Sequence, residues 1–300
     1  MLRLATRGSQ LALWQAHRVA SLLEQVHPGL EAELVTVATT GDRRADVPVR
    51  EMAGQGVFVR EVQWAVLSGA ADIAVHSAKD LQPVASPGLR LAAVPERGDP
   101  WDALVGAPLK GLAPGALVAT GSQRRRAQLA ALRPDLRFES LRGNIGTRLA
   151  KVPAGGAVVV ALAALQRLGL HPGPLDVLAP EVMLPQVAQG ALAVECREDD
   201  DRTLSLLEAI DHLRVRREIE AERAFLAHLG GGCDLPVAGH ATTTPDGLLC
   251  LEGLLAAPDG SAVIREKASG TSGDAAELGE KVATLVLQRG GRDLLARAGR

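Results

Sequence analysis

Leu117-Val118-Ala119-Thr120-Gly121-Ser122-Gln123 repeats, with one deletion, the earlier stretch Leu4-Ala5-Thr6-Arg7-Gly8-Ser9-Gln10. Each is a short apolar run that breaks at small residues and passes directly into a helical pattern. After the first copy, Leu11, Trp14, Val19, Leu22 and Val26 fall near one helical face. Ser9 is suited to cap that helix, and His27-Pro28-Gly29 to end it. A third unit of this kind covers residues 138–141 and turns at Arg142-Gly143-Asn144. Residues 32–38 form another candidate strand. Ala71-Asp72-Ile73-Ala74-Val75 is a further one, with the weak alternation expected where helices cover both faces of a sheet.

Working outward, Val187-Ala188-Gln189-Gly190-Ala191-Leu192-Ala193-Val194-Glu195 predicts a returning strand with a glycine hinge, so the chain crosses back to its first lobe. After residue 212 the pattern changes. A helix with Val215, Ile219, Phe225 and Leu229 on one face precedes strand-like runs at 237–242, 248–254 and 262–266. Pro245-Asp246-Gly247 and Pro258-Asp259-Gly260 supply turn chemistry between them. An amphipathic helix with Leu278, Val282, Leu285 and Val286 follows. The expected fold is α/β, with two lobes joined by a double crossover and a small α+β C-terminal domain. Lobe 1 takes residues 1–96 plus about 190–211, lobe 2 takes 97–189, and the third domain takes 212–300.

Composition excludes several classes of protein. Hydrophobic residues make up 47% of the 300, enough to build cores and too many for a disordered chain. The longest apolar runs fall far short of the ~20 residues a membrane helix needs. The N-terminus has no apolar signal-peptide region, so the expected location is the cytoplasm, without membrane attachment. Cys196, Cys233 and Cys250 form neither a disulfide framework nor a zinc-like spacing, so no metal is expected. The formal net charge of −2 argues against nucleic acid as a partner.

That charge is unevenly spread. Between Thr120 and Lys151 stand eight basic residues and two acidic ones, leaving the rest of the chain at −8. Such a cluster is either a solvated helix face or an anion site. Placement separates the two: Arg7, Arg124, Arg125, Arg142 and Arg148 all lie at strand-to-helix turns. Helix N-termini there offer free backbone N–H groups and the positive end of the dipole. Arginine also suits two-pronged capture of carboxylates or phosphates.

Two further spots look chemical. His76-Ser77-Ala78-Lys79-Asp80 ends the buried strand, and Lys79 is one of only 5 lysines beside 28 arginines. It reads either as a structural ion pair closing the strand or as reactive groups. Gly230-Gly231-Gly232-Cys233-Asp234 sets a cysteine on a glycine loop, where backbone can approach a ligand. Cys196 and Cys250 sit in apolar strand runs, where a cysteine is structural.

These residues carry a resemblance. Ala5-Thr6-Arg7-Gly8-Ser9, Ala71 to Asp80, Arg124-Arg125, Ser140-Leu141-Arg142-Gly143-Asn144-Ile145-Gly146-Thr147-Arg148, Gln189-Gly190 and Gly231-Gly232-Cys233, in that order, resemble the porphobilinogen deaminase family. The resemblance implies a transferase that polymerises porphobilinogen, with loss of ammonia, into hydroxymethylbilane. It implies a dipyrromethane cofactor on a thioether to Cys233, and a monomer. It implies Asp80 as catalytic acid with Lys79 beside it. It implies Arg7, Ser9, Lys79, Asp80, Thr120, Ser122, Arg124, Arg125, Arg142, Gly143, Arg148 and Gln189 around the cofactor, and Arg7, Phe58, Arg142 and Arg148 at the substrate. Residues 39–56 match the family's lid, with Gln55 where a lysine is usual. The rivals are a non-enzymatic polyanion-binding protein of the periplasmic-binding-protein fold, and a transferase using Lys79 as a Schiff-base former.

Overall fold

The computed structural model describes residues 1–40, 58–231 and 236–298. The chain opens with β1 (Leu2–Arg7), α1 (Gln10–Val26), β2 (Ala32–Val37), α2 (Arg60–Leu67), β3 (Ile73–Ser77) and β4 (Leu89–Ala93). It continues through β5 (Asp102–Val105), β6 (Leu117–Ala119), α3 (Gln123–Leu132), β7 (Arg137–Glu139), α4 (Ile145–Leu149), β8 (Ala157–Ala161), α5 (Leu162–Arg167) and β9 (Leu175–Val177). Strand β10 (Leu192–Arg197) and α6 (Asp201–Glu208) precede α7 (Leu213–His228). The last elements are β11 (Val237–Thr243), β12 (Leu248–Ala256), β13 (Val263–Thr271), α8 (Ala275–Val286) and α9 (Arg292–Ala298). Residues 1–98 with 190–216 form one compact unit, and residues 99–189 with those from 217 onward form a second.

Each unit holds a five-stranded mixed sheet, and the two sheets share one plan. The first is ordered β2-β1-β3-β10-β4 and the second β7-β6-β8-β5-β9. In each, three parallel strands are extended by two strands that each pair antiparallel to their neighbours. The repeated sequence stretches are the central parallel strands β1 and β6 with the turns that follow them. They fold alike because each must run apolar through the sheet and then release its backbone into a helix.

The caps show the same logic. Ser9 Oγ accepts from the Ala12 N–H at the start of α1, and Ser122 Oγ accepts from the Arg125 N–H at the start of α3. Leu4, Val19, Leu23, Ile73 and Leu192 build the core on one face of the first sheet. Val62, Val66, Ala5 and Ala74 close the other face. In the second unit, Leu104, Val118, Leu129 and Val159 pack on one side and Val158, Val160, Leu162 and Leu165 on the other. Burying strands on both faces is why they read as unbroken apolar runs.

The second unit also carries an antiparallel meander, β11-β12-β13. Gly239 and Gly253 are paired across β11 and β12, and the Phe225 ring of α7 lies over them. A Cβ on Gly253 would meet that ring at 2.5 Å, so only glycine admits the aromatic there. Two expectations need correction. The strand predicted to begin at Val187 begins at Leu192, because Ala188 (φ 61°) and Gly190 (φ 86°) adopt left-handed backbone. Strand β13 continues to Thr271 rather than ending at 266, because all nine of its residues pair with β12 although its side chains are largely polar.

Candidate functional site

In the first unit, the carboxyl ends of β1 and β3 bring four of the sequence-predicted residues into place. Arg7 ends β1, and its guanidinium carbon lies 4.3 Å from the centroid of the Phe58 ring. Thr6 is buried and donates to the Ala12 carbonyl at 3.2 Å, tying the strand end to the helix it feeds. After β3 the chain makes one tight turn, Ala78–Asp80. That turn is pinned from two sides: the Ala78 N–H donates to the Ala191 carbonyl (3.0 Å), and Gln15 Nε2 donates to Ser77 Oγ (2.7 Å). Lys79 and Asp80 are both half-buried. The Asp80 carboxylate makes no hydrogen bond or ion pair among the described residues.

Behind the turn sits a polar group that the sequence reading missed. Glu195, 3% exposed in β10, accepts from Gln63 Nε2 at 2.8 Å and lies 3.2 Å from His76 Nε2. An acid inside the run Leu192-Ala193-Val194-Glu195-Cys196 was the available signal, since a lone charge in a central strand needs a partner. The neighbouring Cys196 thiol is pushed up to about 11, by burial first and by Asp200 second. It is an inert core group, as the sequence suggested. Cys250 is half-buried in β12.

In the second unit, Thr120, Ser122, Arg142 and Gly143 cluster where β6 and β7 end. Thr120 Oγ1 accepts from the Ser122 N–H at 3.2 Å. The two turns approach so closely that a Cβ on Gly121 would lie 2.7 Å from the Leu141 carbonyl. Gly143 takes φ 113°, and its carbonyl accepts from Arg148 Nε at 2.8 Å. Arg142 is half-buried, and its Nη1 is inaccessible and has no hydrogen-bond partner among the described residues. A buried guanidinium nitrogen with nothing to bond is what a site for a ligand carboxylate requires.

Arg124 and Arg125 are placed differently from the expectation of an open basic turn. They are 3% and 5% exposed and converge on Asp102, which has no exposed surface. Arg125 donates to Asp102 Oδ1 through Nε (3.0 Å) and Nη2 (2.7 Å), and to the Val159 carbonyl through Nη1 (2.9 Å). Arg124 Nη2 lies 2.8 Å from Asp102 Oδ2, and its Nη1 donates to the Leu184 carbonyl at 2.8 Å. Burial alone would push the Asp102 carboxyl up. Arg124 and Arg125, with Gln189 donating, outweigh it and hold the group well below the usual carboxylate range. Gln189 also departs from expectation. Its side chain is fully buried and donates to the Pro100 carbonyl (2.7 Å) and Asp102 Oδ1 (3.0 Å), so it serves the interior.

Cys233, its neighbour Asp234, and the lid segment from residue 41 through Gln55 lie outside the described residues. No group of three or more metal-ligating side chains occurs among the described residues.

Comparison with known families gives two matches that together span nearly the whole chain. Residues 2–205 match "Porphobilinogen deaminase, dipyromethane cofactor binding domain", and residues 216–288 match "Porphobilinogen deaminase, C-terminal domain". The chain belongs to the porphobilinogen deaminase family. As a porphobilinogen deaminase it is a transferase, a hydroxymethylbilane synthase that works on porphobilinogen with a dipyrromethane cofactor. The orphaned Arg142 nitrogen fits that cofactor, whose pyrroles carry carboxylate arms.

Comparison with solved structures gives likenesses at low identity. The chain is similar to the Bordetella pertussis BvgS periplasmic domain (17% identity, 70% of this chain and 39% of that one, TM-score 0.39). It is also similar to the BvgS periplasmic VFT2 domain (16%, 70% and 86%, 0.41). A third is the probable amino-acid ABC transporter extracellular-binding protein ytmK from Bacillus subtilis (8%, 70% and 89%, 0.42). Likenesses this distant lend nothing to the polyanion-binding alternative.

Proposed function

We propose that Asp80 is the group that handles proton and charge in the deaminase reaction. The supporting observation is its carboxylate: half-buried, fixed on a pinned turn, and engaged by no other described group. A carboxylate held this way is ready to accept a pyrrole N–H of porphobilinogen and to balance the positive charge that develops as ammonia leaves. The aminomethyl arm leaves as ammonia from its protonated form, and the same carboxylate then accepts the proton that the ring carbon loses once the new bond has formed. Lys79, one residue earlier, holds a substrate carboxylate. Arg7, stacked on Phe58, and Arg142 and Arg148 at the β7 turn hold acetate and propionate arms, assisted by Ser9, Thr120, Ser122, Arg124, Arg125 and the backbone of Gly143. When bound, dipyrromethane supplies the pyrrole that primes the chain, and Cys233 is its point of attachment.

On this reading lobe 1 (residues 1–96 with 190–211) supplies the acid, lobe 2 (97–189) most of the arginines, and residues 212–300 the cysteine. The protein acts as a monomer in the cytoplasm, and no described helix is long and apolar enough to cross a membrane. Intact mass tests the attachment. The expressed protein should carry an adduct of roughly 420 Da, two porphobilinogen units less two ammonia, as a covalently primed enzyme must. Cys233→Ser should lose it, whereas Cys196→Ser and Cys250→Ser keep it. An adduct retained on Cys233→Ser would remove the assignment.

A further inference from the structure

The first turn of α3 poses an electrostatic problem that the family's reaction does not explain. It holds Arg124, Arg125 and Arg126 and no acidic residue, although the positive end of a helix dipole disfavours cations. Two of these guanidiniums are also buried. The countercharge comes from another strand. Asp102 opens β5, which runs antiparallel to β8 and sets Asp102 opposite Ala161 at the carboxyl end of β8. It therefore lies at the same sheet edge as the Thr120 and Arg142 turns, because β6 runs parallel to both β7 and β8.

One carboxylate does not balance two buried guanidiniums. Arg124 shows this: burial, together with Arg125, draws it below the usual arginine range even though Asp102 opposes the shift. Arg125 has three of its nitrogens bonded inside the protein, and Arg124 keeps an Nε–H with no partner among the described residues. The cluster thus retains one uncompensated positive charge, with its geometry fixed by Asp102 and, through Asp102, by Gln189.

We propose that Asp102 is a positioning residue for anion capture: it is the resident counter-ion that holds Arg124 and Arg125 in register at the α3 turn, leaving one positive charge for a ligand carboxylate. This rests on the reading of that turn as part of the cofactor and substrate site. Removing Asp102 has two opposing consequences. The site becomes more positive, which favours an anion, but two like-charged side chains lose their common anchor and repel.

The test is the rate at which apo-protein incubated with porphobilinogen gains the covalent adduct, followed by intact mass and normalised to folded protein by circular dichroism. Asp102→Asn should load at least about ten-fold more slowly than wild type, the loss typical of a misplaced binding group. Gln189→Met removes one hydrogen bond from Asp102 and changes no charge. It should slow loading in the same direction by about two- to five-fold, and it carries the test if Asp102→Asn does not fold. Because Asp102 acts through its arginines, Asp102→Asn should add little to the slow loading of Arg124→Lys. Loading at the wild-type rate or faster in the folded Asp102 and Gln189 variants would overturn the proposal. So would an undiminished Asp102 effect in the Arg124→Lys background. Normal loading of Arg124→Lys alone would instead bring down the anion-site reading beneath it.

Discussion

Replacing Asp80 with asparagine separates chemistry from stability more cleanly than any other change in this protein. The substitution keeps the shape and one acceptor oxygen, turns the other into an NH2 donor and removes the charge. Asp80 makes no hydrogen bond or ion pair among the described residues, so no intramolecular partner is orphaned. The turn that carries it is held by backbone and neighbours, through Ala78 to Ala191 and Ser77 to Gln15. Stability should therefore change by no more than about 0.5 kcal/mol, the range for substitutions that break no named contact. For a chain of this size that is under ~2 °C in Tm. The rate should behave quite differently. A positioned acid–base group is typically worth about 10²–10⁴-fold, and two orders of magnitude correspond to about 2.7 kcal/mol of barrier. Single-turnover ammonia release at saturating porphobilinogen measures this directly, with intact mass confirming that the variant is loaded. A near-normal rate would refute the reasoning, as would a Tm loss that accounts for the missing activity. Lys79→Gln is the paired control. It should raise the substrate concentration needed and spare the saturated rate, whereas its collapse beside a healthy Asp80→Asn would transfer the chemistry to the lysine.

Arg142→Leu should leave Tm unchanged or slightly higher, since it deletes a buried donor that has no partner, while elongation stalls and enzyme–substrate species accumulate by mass. Normal elongation would refute its role. Arg125→Leu should instead cost about 1.5–3 kcal/mol, because it takes two charged hydrogen bonds from a fully buried carboxylate and leaves it with Arg124 and Gln189; chemical denaturation measures this, and a loss under about 1 kcal/mol would contradict the buried geometry. Asp102 and Asp72 both have carboxyls held below the ordinary range, Asp72 by Arg3 against its own burial. Groups with depressed folded-state values bind more protons when unfolded, so their stabilisation is present above about pH 4 and is lost as pH falls below it. A Tm series from pH 7 to pH 2 should therefore fall on the acid side, and Asp102→Asn should start lower and fall less steeply.

Much of this molecule follows from local sequence. The repeated strand–turn–helix stretches at 4–10 and 117–123 become the central strands of two sheets with one plan, because an apolar run and a serine cap act over a few residues. The same locality makes the motif order sufficient to identify the family, and it places Asp80 and Arg142 at strand ends. What the sequence could not decide is which charges face inward. Arg124 and Arg125 look from the chain alone like an open basic turn, and Gln189 like part of a binding loop. Asp102 stands 22 and 87 residues from Arg124 and Gln189 in sequence and meets them only when β5 inserts antiparallel beside β8. Glu195 meets His76 and Gln63 only when β10 returns to pair with β3. Ala188 adopts a left-handed backbone, and its N–H donates at 2.6 Å to Glu222, far along the chain. A buried charge is tolerable only where a distant partner arrives, so pairings of this kind belong to the tertiary structure and leave at most a lone acid in an apolar run as their trace in the sequence.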